Sequence, residues 1–127
     1  MHSLYFVMFE KERATSAGIA GWVADTILID EGFCNQGYFG AGRSDRYEIG
    51  WRWKGLFEKL FNPDISFHNL PPITENAILI TDAVRLKLNE FRPDVEIFDA
   101  DEYIEFNVSD LSSKHNNKWF VIIDYHH

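Results

Sequence analysis

Two short runs of apolar residues sit at opposite ends of the chain, Leu4-Tyr-Phe-Val-Met-Phe9 and Trp119-Phe-Val-Ile-Ile123. Neither alternates polar with apolar, and both are rich in aromatic and β-branched side chains. A strand with water on one face shows that alternation, so an unbroken run reads as a strand covered on both faces. The chain must therefore wrap other elements around these two strands, which 127 residues with 46% hydrophobic content can do without a disulfide or structural metal. The same content excludes a disordered, low-hydrophobicity polymer.

Elements of both periods lie between the two runs. Thr81 is a suitable N-cap, Asp82 suits the positive end of a helix, and Val84, Leu88 and Phe91 then fall on one face at i, i+4 and i+7 until Pro93. Ala77–Ile80 and Val95–Phe98 read as strands. From Tyr103 to Val108 the pattern alternates, with Ile104, Phe106 and Val108 on one face and Tyr103, Glu105 and Asn107 on the other, the mark of a half-buried strand. Glu10–Gly21 reads as a loop with at most a turn of helix, because Gly18 and Gly21 weaken one. Trp22–Ile29 reads as a second strand, and Glu31–Gly50, with five glycines, as a long exposed segment. Trp51–Phe61 predicts a short amphipathic helix ending at Asn62-Pro63. The expectation is one α+β domain over residues 1–127, with a mainly antiparallel or mixed sheet of five to seven strands and two or three short helices.

Charge is unevenly placed. The chain carries 12 Lys and Arg against 20 Asp and Glu, a formal charge of -8. Eight of the acids lie between Glu90 and Asp110, where Arg92 is the one base, so that stretch alone carries a net charge of -7. Nonspecific nucleic-acid binding needs clustered Lys and Arg, and the overall balance opposes it. An acidic surface instead suits a basic protein, whose approach it accelerates. Glu96, Asp99, Asp101, Glu102 and Glu105 are the candidate contact acids, with Tyr103 as an aromatic anchor. The plainer reading of the same residues is a solvated strand edge whose charges discourage aggregation.

Other motifs carry less. Gly40-Ala-Gly42-Arg43-Ser44-Asp45 lacks the third glycine of a dinucleotide loop and the G-K-[ST] of a P-loop. No histidine stands at metal-ligand spacing, so no metal or cofactor is expected. Cys34 with His68 or His115 could form a nucleophile pair, but a reactive thiol needs a positive neighbour and Glu31 lies beside it. Asp99, Asp101 and Glu102 could do acid–base work as a carboxylate cluster. Trp51-Arg52-Trp53-Lys54 could stack nucleobases, although the same aromatics suit a helix face turned to a core. No apolar run is long enough to span a bilayer and the first residues lack the pattern of a signal peptide, so a cytoplasmic location without membrane contact is expected.

A further clue is the order of features from about residue 63 to 108: Asn62-Pro-Asp-Ile65, Leu70-Pro-Pro-Ile-Thr-Glu75, Ile78-Leu-Ile-Thr-Asp-Ala-Val84 leading into Leu86-Lys-Leu-Asn-Glu-Phe91, then Val95-Glu-Ile-Phe98. This order resembles small bacterial immunity proteins that neutralise polymorphic or contact-dependent growth inhibition toxins. Where such proteins commonly place a proline after the last of these strands, this chain has Asp99-Ala100. The resemblance implies an antitoxin rather than an enzyme: a cytoplasmic monomer or weak dimer that masks a cognate toxin, often a basic nuclease. The competing expectations are a small enzyme using Cys34 and His68 or the clustered carboxylates, and a phage-type inhibitor that mimics DNA charge.

Overall fold

A computed structural model describes residues 1–34, 46–61 and 75–127. It has a mixed sheet of six strands with helices on both faces. Strand β1 (His2–Glu10) is followed by helix α1 (Ala17–Asp30), strand β2 (Arg46–Ile49), helix α2 (Leu56–Phe61), strand β3 (Ala77–Leu79) and helix α3 (Asp82–Phe91). Strands β4 (Glu96–Asp99), β5 (Ile104–Asn107) and β6 (Lys118–His126) complete the order. The α+β class and the mixed sheet agree with the reading from sequence.

The two apolar runs are the central pair. β1 and β6 run antiparallel along nine residue pairs, from His2 opposite His126 to Glu10 opposite Lys118. On its other edge β1 pairs in parallel with β4, and β5 closes that side as an antiparallel edge strand. β2 and β3 share the far edge of β6 end to end, β3 beside Trp119–Val121 and β2 beside Ile123–His126.

The pleat sorts β1 between two cores. Tyr5, Val7 and Phe9 point to the face covered by Ala20, Ala24, Ile27 and Leu28 of α1, while Leu4, Phe6 and Met8 point to the face covered by Leu56 and Phe57 of α2 and Val84 and Leu88 of α3. Each buried side chain of this size contributes about 1.5–3 kcal/mol by leaving water. This double cover is why neither run alternates.

Helix α1 corrects two expectations, because Trp22–Ile29 is helical and most of the preceding stretch is not a plain loop. The chain makes a 3-10 turn at Lys11–Arg13, and Ser16 then caps the helix, its Oγ accepting the Ile19 N–H at 3.3 Å. Ala20, Ala24, Ile27 and Leu28 form the i, i+4, i+7, i+8 stripe of a core-facing helix. Ile19, Trp22 and Ile29 lie on its outer side and are exposed. A helix apolar all round has no period to read, which is why the segment mimics a strand.

The amphipathic helix expected over residues 51–61 is also divided. Trp51–Trp53 form a 3-10 turn and α2 begins at Leu56, after Gly55 with φ of 83°. Trp53 packs against the second core, whereas Trp51 is exposed. β2 was not expected as a strand. Helix α3 keeps its expected bounds, with Thr81 Oγ1 accepting the Val84 N–H at 3.3 Å. The Gly40–Asp45 loop, His68 and the segments Asn62–Ile65 and Leu70–Thr74 lie outside the described residues.

Candidate functional site

The acidic stretch forms the β4–β5 hairpin at one edge of the sheet, joined by a turn through Ala100–Tyr103. The structure divides its candidate residues into two sets. Asp99 is fully buried at the end of β4, and the Lys118 ammonium donates to both its oxygens, at 3.3 and 3.1 Å. Lys118 also lies 2.9 Å from Asp101, whose own backbone N–H donates to Asp99 Oδ1 at 3.0 Å. Burial alone would lower the lysine's affinity for its proton; hydrogen bonds and charge from Asp101 and Asp99 outweigh it, and the pKa is raised. Asp99 and Asp101 thus staple the hairpin to the start of β6. Asp99 cannot touch a partner, a correction to its place in the contact face.

The remaining candidates face outward. Glu96, Glu102, Tyr103 and Glu105 are exposed, Tyr103 at 56%, with Ile104 beside it at 43%. The exposure of Ile104 departs from the inward face expected for it: β5 is an edge strand, and helix cover stops short of its first residue. Tyr103 occupies the left-handed region with φ of 55° and sets its ring edge-on to Phe98, centroids 6.3 Å apart. Glu105 accepts a 2.6 Å hydrogen bond from the buried Tyr5 hydroxyl, which ties the edge strand to the core under α1.

At the back of the hairpin, His115 is buried against the Phe106 ring and accepts the Ser112 N–H through Nδ1 at 3.0 Å. Burial, then the charge of Lys114, lowers its pKa. It holds the turn before β6 as a neutral ring. Cys34 is half-buried and packs against the α1-side core. Among the described residues no group of three His, Cys, Asp or Glu could hold a metal ion. No described helix is long and apolar enough to cross a membrane.

Sequence reasoning missed a second concave feature at the opposite edge. A groove of about 680 Å³ runs between α1 and the β2–β3 edge, lined among others by Gly18, Trp22, Asp25, Tyr47, Glu48 and Glu75. Reading residues 22–29 as a strand hid it, since residues three apart point to opposite faces of a strand but share a face of a helix. Tyr47 donates to Asp25 Oδ1 at 2.6 Å. Burial and the neighbouring Asp25 raise its pKa, so the phenol stays a donor.

Fold and surface together define a small α+β domain with a charged edge hairpin. In comparisons with models of protein families, with curated proteins and with solved structures, nothing matches this chain.

Proposed function

We propose that this protein is a binding domain of the immunity type, an inhibitor that takes a basic protein toxin, such as a nuclease, on its β4–β5 hairpin. The observation that carries the reading is the division of acids by Lys118. The lysine meets Asp99 and Asp101, while Glu96, Glu102 and Glu105 stay at the surface of the hairpin that also exposes Tyr103 and Ile104. An aromatic and an aliphatic side chain exposed on the same stapled hairpin as surface carboxylates combine an anchor with electrostatic steering. The toxin class comes from the sequence resemblance alone.

The test is association kinetics with a cognate toxin, from the adjacent reading frame or co-purified from the native host. Glu96→Gln with Glu102→Gln should slow association and flatten its dependence on salt, because exposed interface charges act on the on-rate. Tyr103→Asn keeps a residue that tolerates the left-handed backbone and should speed dissociation. Unchanged rates in both variants would reject this face.

A further inference from the structure

We infer that the outer edge of β2, where it borders the groove beside α1, is a docking site for an extended segment of a partner protein, which pairs with β2 as an added strand. β2 ends the strand order β2-β6-β1-β4-β5, so among the described residues only its inner edge is paired. Which of its main-chain groups face outward follows from the register. Gly50, continuing that register, donates its N–H to the Ile122 carbonyl directly opposite at 3.0 Å, which marks a hydrogen-bonded pair of the antiparallel ladder. Such pairs alternate with pairs whose main-chain groups turn away from each other. Glu48 therefore bonds to Asp124, while Tyr47 and Ile49 turn their N–H and C=O groups to the open edge. No described residue takes those groups. An open edge of this kind is a template for another strand.

The groove follows that edge. Tyr47, Glu48 and Ile49 all line it, and consecutive side chains of a strand alternate between the two sheet faces, so the groove borders the strand itself and not one face of it. Its far wall is the side of α1 that carries Gly18, Gly21 and Trp22. Packing demands neither glycine: a Cβ at Gly18 meets nothing within 4 Å, and one at Gly21 meets the Ile49 side chain at 3.5 Å, an ordinary contact. Their effect is to keep the wall open beside Trp22, which is 81% exposed. A strand laid antiparallel on β2 sends every second side chain into this space, opposite Tyr47 and Ile49. Main-chain bonds then supply affinity, and the glycine-walled space selects apolar side chains. Charge chooses the occupant. The charged lining residues are Asp25, Glu48 and Glu75, with no Lys, Arg or His. They act through the field along the edge and not as converging ligands, since Asp25 accepts the Tyr47 hydroxyl and Glu48 turns away from the α1-side core that Tyr47 and Ile49 join. A second copy of this chain would bring the same acids and a net charge of -8 to the same place, whereas a segment with basic flanks is attracted. The inference is independent of the hairpin, which lies at the other end of the strand order.

The test is amide hydrogen exchange of the full chain, read by NMR before and after adding the capped peptide acetyl-Arg-Thr-Val-Thr-Val-Lys-amide. In the free chain the Glu48 and Gly50 amides should exchange slowly, and those of Tyr47 and Ile49 at least about tenfold faster. Saturating peptide should slow Tyr47 and Ile49 to the range of their neighbours. A counterpart N-methylated at both valines keeps the side chains and loses the donors, so it should bind at least about tenfold more weakly. A counterpart with glutamates in place of its Arg and Lys should also bind more weakly, by a margin that shrinks as salt rises. Gly18→Leu, which favours the helix and fills the open space without changing charge, should weaken the peptide by about tenfold or more while the exchange pattern of the free chain stays as it was. The proposal is overturned if Tyr47 and Ile49 are as protected as Glu48 and Gly50 in the free chain, if the N-methylated peptide binds equally, or if Gly18→Leu has no effect. It is also overturned if about 10 mM peptide, beyond the millimolar range of weak sites, protects neither amide. Protection of both amides that grows with protein concentration in the absence of peptide would overturn it too, by making the occupant a second copy of the chain.

Discussion

Replacing Lys118 with Met removes the cation from the staple and keeps most of its aliphatic volume. Asp99, with no exposed surface, then loses both lysine hydrogen bonds, and the nearby Asp101 carboxylate, itself mostly covered, loses its counter-charge. Removing one partner of a buried ion pair costs about 3–5 kcal/mol, because the remaining charge stays out of water. The lysine side chain retains 17% of its exposure, which places the loss at the lower end, about 3 kcal/mol. For a chain of this size 1 kcal/mol moves the melting temperature by roughly 4 °C, so a drop of about 12 °C is expected. Urea unfolding followed by tryptophan fluorescence measures the loss directly, with an unchanged slope if the native state stays compact. Combining Lys118→Met with Asp99→Asn should recover at least half of it, since the amide can still accept the Asp101 N–H and needs no cation. The raised lysine pKa adds a pH signature. Its contribution is complete below the ordinary value of 10.5 and disappears as pH climbs through the raised one, so the wild type should lose an alkaline increment of stability that the Met variant lacks. A loss below about 1 kcal/mol, the range of solvent-screened surface pairs, or strict additivity in the double variant, would refute the staple.

Three further outcomes can be checked on the same assay. Thr81→Ala should cost about 1 kcal/mol through the lost α3 cap, whereas Thr81→Ser should be close to neutral. Gly50→Ala should cost about 1–3 kcal/mol, since Gly50 has φ of 78° and a Cβ there would run into the Asn76 side chain; proteolysis should show the β2–β3 edge loosened first. Because the folded pKa of His115 is lowered, its contribution is present above the ordinary histidine value and is lost as pH falls through the depressed one. The wild type should lose stability as pH falls below the ordinary histidine value of 6.5, and His115→Gln should be less stable above that value but flatter below it.

The elements legible in sequence are those whose burial leaves a period. α3 has one covered face, so Val84 and Leu88 recur and Thr81 marks the start. β1 and β6 are covered on both faces, and the absence of any period over a short β-rich run was itself the signal. α1 escaped because its outer side carries Ile19, Trp22 and Ile29 where polar residues would have drawn the stripe. The cue that could have found it is local: Ser16, then small or aliphatic residues at 20, 24, 27 and 28. At the hairpin, counting charges located the acidic region but could not divide it. The partner of Asp99 and Asp101 is Lys118, and that pairing depends on the antiparallel register of β1 with β6, which places Lys118 opposite Glu10. No spacing within residues 90–110 encodes it.

That register also bears on how the chain matures. The longest pairing of β1 is with a strand more than a hundred residues further on. A ribosome adding about 5–20 residues each second leaves Leu4–Phe9 without β6 for several seconds or more. Six consecutive apolar residues without charge or proline are a sticky segment during that interval. Newly made chains are thus most vulnerable before synthesis reaches β6, and charged Glu10, Lys11, Glu12 and Arg13 immediately after the run serve as its gatekeepers.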